Sequence, residues 1–182
     1  MKSKSLPFIL IVLFVSTGVF AQKNHYLSNE KESEIITNSK IILWDQLDVA
    51  EDNWKTSQDF ETANNDYDNQ GADDFIVSGG NWTIESIECV GRYSDAGGPL
   101  NFLNIYFYED DQGMPGTLVQ EFYDVPCETE LKSGWVTADL PTNVELMDGN
   151  TYWISIQARM DFDPFGQWFW YGANTANGAI WH

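Results

Sequence analysis

The 182-residue chain is poor in histidine and cysteine, two side chains that many enzymes use as the general base and the nucleophile. It has only two histidines, His25 in a polar stretch near the start and His182 at the last position, so a Ser-His-Asp or Cys-His arrangement has no well-placed base. The sequence also lacks a His-Glu-x-x-His zinc motif, a glycine-rich phosphate loop and a Gly-x-Ser-x-Gly elbow. These absences argue against most kinds of catalysis and leave open chemistry by a pair of carboxylates.

Positive charge is also scarce, because 9 Lys and Arg stand against 28 Asp and Glu and the formal net charge is −19. A surface of this sign repels phosphate backbones and anionic lipids. We therefore expect no nucleic acid partner and no membrane insertion once an export signal has been removed. Acidity on this scale has two interpretations, namely solubility outside the cell and binding of divalent cations.

The one long apolar stretch, residues 6–21, has 16 residues, fewer than the roughly 20 that span a bilayer as a helix. It follows Lys2 and Lys4 and ends with small residues at the positions that a signal peptidase recognises. This pattern predicts a secretory signal peptide over residues 1–21 and a secreted, extracellular or cell-surface location. Residues 22–40 are polar, and we expect them to form a flexible lead-in.

No segment after the signal peptide repeats apolar residues with a sustained 3.6-residue period, so we expect almost no helix. Short runs rich in β-branched and aromatic residues, separated by Gly, Pro, Asn and Asp, indicate strands instead. The predicted strands are 41–46, 73–77, 82–93, 100–109, 117–125, 134–140, 150–160 and 167–172. About eight such strands predict an all-β fold, an antiparallel β-sandwich of jelly-roll or immunoglobulin-like type. We assign residues 41–182 to it and expect it to be truncated at its C-terminal end, because the chain stops inside an apolar segment.

Two strands alternate between apolar and polar residues, with one aromatic exception in each. Trp153 lies among the polar positions of strand 150–160, and Trp135 lies opposite the apolar positions of strand 134–140. In strand 82–93 the alternation changes phase, and a bulge near Glu85 and Ser86 would explain this change.

Exposed aromatic rings suit stacking on the apolar faces of sugars, and large exposed apolar patches mark binding sites. The candidates for contact with a polysaccharide or cell-surface glycan are Trp135, Trp153, Trp168, Trp170 and Tyr171. The alternative is that these rings are core on one side of a strand and covered by a loop or domain on the other.

The polar segment 64–74 carries the oxygen ligands that calcium prefers. The candidate ligands are Asp66, Asp68, Gln70, Asp73 and Asp74. An EF-hand is excluded, because the twelfth position would be Val77 and no flanking helices are expected. The alternative is a solvated turn whose Asn and Asp side chains bond to their own backbone. Two cysteines follow the signal peptide, Cys89 and Cys127, and an oxidising compartment allows them to form a disulfide, although spacing alone does not establish it.

Several segments together resemble an accessory module of secreted multidomain bacterial proteins. They are Ser-Gln-Asp-Phe-Glu at 57–61, Tyr-Asp-Asn-Gln-Gly-Ala-Asp-Asp-Phe at 67–75, Trp-Thr-Ile at 82–84, Tyr-Phe-Tyr at 106–108 with Gly-Met-Pro-Gly at 113–116, and Gly-Asn-Thr-Tyr-Trp-Ile-Ser at 149–155. The similarity covers about residues 41–182. It implies a β-sandwich that sits beside other domains of a longer chain, often with a C-terminal sorting domain, and it carries no activity to particular residues.

We therefore expect a non-catalytic secreted module that recognises a glycan or a surface, or that acts as a spacer within a larger exported protein. Two alternatives stay open: a carboxylate-dependent glycoside hydrolase or a fragment of one, and a structural adhesin repeat.

Overall fold

The computed structural model describes the backbone of residues 9–10, 12–22, 35–46, 50–94, 97–130, 134–173 and 180–181, and side chains within 41–46, 54–94, 97–130 and 134–171. This part of the chain forms two β-sheets, of eight and six strands, with a hydrophobic core between them. None of its helices is both long enough and apolar enough to cross a membrane.

The strands are β1 (Ile9–Leu10), β2 (Val12–Gln22), β3 (Ile35–Asp45), β4 (Ala50–Thr56), β5 (Gln58–Asp59), β6 (Ala72–Ile76), β7 (Trp82–Tyr93), β8 (Phe102–Asp110), β9 (Pro115–Pro126), β10 (Glu128–Glu130), β11 (Trp135–Leu146), β12 (Thr151–Arg159), β13 (Trp168–Ala173) and β14 (Ile180–Trp181). The larger sheet has the order β1-β13-β7-β11-β10, with β4 beside β13, β2 beside β7 and β3 beside β2. The smaller sheet has the order β14-β6-β12-β8-β9, with β5 also beside β12. The pairs are antiparallel except β5 with β12, which is parallel.

The all-β sandwich predicted from the sequence is confirmed. Each of the eight predicted strands overlaps an observed strand, and the described helical structure is limited to a 3₁₀ helix at Thr62–Tyr67 and a helical turn at Phe162–Phe165. From β6 onward the chain passes repeatedly between the two sheets, so residues far apart in sequence meet across the core.

The structure also contains strands that the pattern of apolar residues did not predict. Strand β4 has the sequence Ala-Glu-Asp-Asn-Trp-Lys-Thr, which has a low intrinsic β propensity. It is extended because it pairs with β13, and cross-strand contacts can outweigh a low propensity. Strand β3 begins at Ile35, inside the segment expected to be a flexible lead-in, and it pairs with β2. Strands β1 and β2 lie almost wholly within the predicted signal peptide, whose cleavage stays a prediction.

The predicted irregularity near Glu85 and Ser86 is present. Strand β7 pairs Ser86 with Asp139 and Ile84 with Val144, so Glu85 alone lies opposite residues 140–143 of β11. The extra residues therefore belong to the partner strand β11. They include Pro141, which has no N–H to donate to a sheet ladder.

Candidate ligand-binding site

Residues 60–71, which we call the 60–71 loop, leave the smaller sheet after β5 and return to it at β6. The two ends of this loop are held together beside β12. Gln58 and Asn69 exchange two backbone hydrogen bonds of 3.0 Å. The Ser57 hydroxyl donates to the Ile156 carbonyl at 2.7 Å and accepts from the Gly71 N–H at 3.1 Å. The loop therefore starts and finishes at one point on the edge of β12.

The loop then crosses the outer face of β12. The Gln157 amide donates to the Asn69 carbonyl at 2.9 Å, and the Gln70 amide donates to the Tyr108 hydroxyl at 3.1 Å. Tyr108 is on β8, on the far side of β12 from the strand that Gln70 precedes, so this second bond spans β12. As a consequence Trp153 and Ser155, which point away from the core, have 0% exposure.

This covering overturns the predicted aromatic platform of Trp153 and Trp135. Trp153 is fully buried, and its indole N–H donates to the Asp110 carboxylate at 2.8 Å. Trp135 is half-buried and lies in the other sheet, on β11. The alternation of each strand was interpreted correctly, but alternation does not tell whether the outward face meets solvent or a loop.

The other candidate aromatics do not form a single site either. Trp168 and Trp170 are buried members of the core. Tyr171, on the opposite face of β13, is half-buried against Trp54, with ring centroids 6.3 Å apart. The Arg92 guanidinium lies 3.9 Å from the centre of the Trp54 ring. The five candidates are thus divided among the core, the covered face of β12 and two places on the larger sheet.

The five predicted calcium ligands are not gathered around one point. Asp68 accepts the Phe60 N–H at 2.8 Å, as the solvated-turn alternative expects, and Asp66 is exposed. The Gln70 amide is engaged by Tyr108, while Asp73 and Asp74 face opposite sides of β6. Among the described residues no three His, Cys, Asp or Glu side chains are arranged to hold a metal ion. Calcium binding stays a prediction.

A concave site lies instead between the 60–71 loop and the segment that joins β12 to β13. We call it the aromatic pocket; it has a volume of about 300 Å³ and is lined by Phe60, Asn64, Tyr67, Phe162 and Gln167. Phe60, at 4% exposure, forms the floor, whereas Tyr67 and Phe162 are 71% and 50% exposed. The Phe60 and Phe162 rings meet edge to face with centroids 6.1 Å apart. Sequence reasoning missed this pocket, because its aromatic residues lie singly in polar segments.

Two polar side chains tie the walls of the aromatic pocket together. The Gln58 amide donates to the carbonyls of Met160 at 2.8 Å and Gly166 at 3.3 Å, and its oxygen accepts the Trp168 N–H at 2.6 Å. The Glu61 carboxylate accepts the Phe162 N–H at 2.8 Å. These bonds connect the 60–71 loop to the opposite wall of the aromatic pocket. They therefore brace the two segments that carry the exposed rings of Tyr67 and Phe162.

The charge of Glu61 strengthens this connection. The backbone N–H of Phe162, the N–H of Glu61 itself and the Asn64 amide all donate to the carboxylate, and these bonds hold the pKa of Glu61 below its usual range. Hydrogen bonds to the charged form favour that form. The Glu61 brace, which consists of its hydrogen bonds to Phe162 and Asn64, is therefore formed by an ionised carboxylate at neutral pH.

A second aromatic group, which we call the tyrosine face, consists of Tyr106, Tyr108 and Tyr123 on the outer surface of β8 and β9. The rings of Tyr106 and Tyr108 are nearly parallel, at 16° with centroids 6.2 Å apart, and Tyr123 meets Tyr106 at 88° and 5.7 Å. The hydroxyls are held as well, since Tyr106 donates to Gln157 at 3.3 Å and Tyr123 to Glu121 at 2.8 Å.

The phenols of the tyrosine face stay protonated at neutral pH. Burial raises the pKa of Tyr106 and of Tyr108, and the hydrogen bond to Glu121 raises the pKa of Tyr123. Each hydroxyl therefore keeps its hydrogen and can act as donor and acceptor.

Arg159 lies between the aromatic pocket and the tyrosine face. Its guanidinium donates to the Phe60 carbonyl at 3.0 Å and lies 3.6 Å from an Asp59 oxygen and 3.8 Å from an Asp124 oxygen. The Asn104 amide donates to Asp59 at 2.8 Å. This cation is matched by two carboxylates, so the region keeps a negative balance.

Both cysteines are free thiols in the structure, which leaves the predicted disulfide without support. Cys89 is fully buried, and Cys127 is partly buried against the same core. Burial raises the pKa of Cys127 to about 12 and raises that of Cys89, with an added contribution from the nearby Cys127. The two thiols are thus near neighbours that stay protonated at neutral pH, and their oxidation stays a prediction.

Comparison of the chain with family models, with curated proteins and with solved structures gives no match.

Proposed function

We propose that this chain is a non-catalytic, exported recognition module that binds a glycan through the aromatic pocket. The observation that supports this most is the pair of exposed rings, Tyr67 and Phe162, on opposite walls of a cavity of about 300 Å³. Pockets for small ligands commonly begin at about this size and combine apolar walls with a few polar groups.

The chemistry of the lining suits a sugar. A pyranose ring has apolar C–H faces and a periphery of hydroxyls, so it needs flat apolar surfaces and groups that both donate and accept. Tyr67 and Phe162 supply the surfaces, and the amides of Asn64 and Gln167 supply both hydrogen-bonding roles. The braces from Gln58 and Glu61 reduce the ordering cost of binding, because the walls are connected before a ligand arrives.

Affinity electrophoresis against soluble polysaccharides, followed by calorimetry with a retarding one, tests this proposal. A ring stacked on a ligand contributes on the order of 1 kcal/mol, so Tyr67→Ala and Phe162→Ala should each weaken binding about fivefold. Because both side chains are well exposed, the melting temperature should change little. Met147→Ala is the control, since Met147 is an exposed apolar side chain outside the pocket. Undiminished affinity in the double variant Tyr67→Ala, Phe162→Ala would reject the pocket as the site.

The enzymatic alternative can be tested at an acidic pocket. A second pocket, of about 370 Å³, lies on the outer face of the larger sheet and is lined by Glu88, Glu128 and Glu130 around Trp135. A glycoside hydrolase needs two carboxylates flanking the bond that it cleaves. Release of reducing sugar by the wild type, lost in Glu88→Gln and Glu128→Gln, would favour the hydrolase. A chain that neither binds nor cleaves any glycan would favour a spacer or adhesin repeat.

Export is part of the same proposal. The basic, apolar and small-residue order of residues 1–21 supports cleavage before Gln22, after which 7 basic and 28 acidic residues remain and the formal charge is −21. The mass of the protein recovered outside an expressing cell measures this directly. A secreted chain that retains residues 1–21 would contradict the cleavage.

A further inference from the structure

We infer that the aromatic pocket and the tyrosine face are two ends of one track, and that the track takes an extended, uncharged polysaccharide and not an acidic one. This inference rests on the proposed function, because it assigns the ligand class of that same site.

Hydrogen bonds connect the aromatic pocket to the tyrosine face. The Asn69 amide donates to the Tyr67 carbonyl at 2.8 Å, and the Asn69 carbonyl accepts from Gln157, whose side-chain oxygen accepts from the Tyr106 hydroxyl. Three hydrogen bonds therefore lead from the pocket wall at Tyr67 to the first ring of the tyrosine face. The next loop residue, Gln70, bonds to Tyr108. Residues 67–70 thus border both aromatic groups.

The three rings of the tyrosine face are held in place before a ligand binds. Each of the three tyrosine hydroxyls has a hydrogen-bond partner, and the rings contact one another. Tyr123 is nevertheless 58% exposed, and the other two rings are only partly buried. Rings that are already fixed and still accessible can contact a second stretch of the ligand at little entropic cost.

The surface that joins the aromatic pocket to the tyrosine face has a negative balance of charge. Arg159 is the basic group at the junction, and it is already matched by Asp59 and Asp124. Glu61 and Glu121 lie at the two ends, in the pocket brace and beside Tyr123. This surface and the formal charge of −21 on the exported chain would repel a polyanion at short range. Amide and phenol groups, by contrast, bond well to neutral hydroxyls.

A panel of polymers tests the ligand class. Neutral xylan, glucomannan and mixed-linkage β-glucan are compared with polygalacturonate and alginate by affinity electrophoresis at about 50 mM salt, a concentration that leaves charge effects only partly screened. We expect retardation by at least one neutral polymer and by neither acidic one. Acidic polymers that bind as tightly as the neutral ones would overturn the assignment to uncharged ligands. Failure of every polymer to bind would reject the proposed function and the track together.

Chain-length dependence tests the track separately from the pocket. Oligosaccharides of two to six units from the retained neutral polymer should bind the wild type with an affinity that rises about tenfold over the series, as more rings are contacted. Tyr123→Ala should leave the disaccharide affinity unchanged and reduce this rise to about twofold. Met147→Ala, which removes a side chain of the same 58% exposure, should keep the full rise. A full rise in Tyr123→Ala would overturn the track and leave the pocket proposal intact.

Discussion

Strands β11 and β12 have similar alternating sequences and very different surroundings. On β11 the inward residues Val136, Ala138 and Leu140 are buried, while Thr137 is partly buried and Asp139 is exposed. On β12 every residue from 152 to 158 is buried, on both faces. The difference comes from the 60–71 loop, which crosses the outer face of β12 and has no described equivalent over β11.

The comparison shows that the covering and the candidate site have one origin. The same loop that buries Trp153 carries Tyr67 and Asn64 to the aromatic pocket and brings Gln70 to the tyrosine face. A polar segment with few apolar residues therefore covers part of the outer face of the smaller sheet.

The two tryptophans on the outward sides of these strands should respond very differently to truncation. Trp153→Ala should lower the free energy of unfolding by about 3–5 kcal/mol, because it leaves a large cavity and removes the hydrogen bond from the indole to Asp110. Trp135→Ala should cost less than half as much, since that ring is only partly buried. Urea unfolding measures both changes, and equal losses would mean that the outer faces of β11 and β12 are covered alike.

Oxidation of Cys89 and Cys127 would join β7, the neighbour of β11, to the segment before β10. Closing this loop of 38 residues should raise the free energy of unfolding by about 4 kcal/mol, less any strain. Protein exported from cells is counted for thiols under denaturing conditions and then unfolded with and without reductant. Two free thiols in that protein would show that the bond does not form.

Calcium should stabilise the fold if the predicted ligands, which lie between residues 66 and 74, gather around the ion. Binding would stabilise the fold by about 2.7 kcal/mol at a hundredfold excess over the dissociation constant. The melting temperature should then rise with calcium, fall with chelator, and stop responding in the double variant Asp66→Ala, Asp68→Ala. Magnesium at equal ionic strength is the control, and an equal shift with both ions would indicate screening of the acidic surface alone.

Protonation of Glu61 should change the stability of the fold least, and only at acid pH. Since folding lowers the pKa of Glu61 from its ordinary value of 4.5, the contribution of its charge to stability is present above that value and is lost as the pH falls through the folded-state pKa. Below about pH 4.5 the wild type should lose stability that Glu61→Gln never had, so their melting curves should converge. A difference between the two proteins that does not change with pH would show that the charge of Glu61 has no part in the brace.

Sequence patterns are enough to predict the all-β class, the approximate position of eight strands, the alternation of β11 and β12, and the irregularity near Glu85. These follow from local properties, because β-branched and aromatic residues at period two, interrupted by Gly, Pro and Asp, specify an extended chain with one apolar face. Such properties depend on neighbours within a few residues, and those neighbours are read directly from the chain.

Contacts between distant segments, and not local sequence, determine which outward faces are covered and where exposed rings converge. Trp153 is buried on a strand that Gln70, more than eighty residues earlier in the chain, crosses with its bond to Tyr108. The aromatic pocket exists because Tyr67 and Phe162 line one cavity from two distant segments. Pairings of this kind depend on how the sheets pack and not on local pattern, so no periodicity in the sequence could have indicated them.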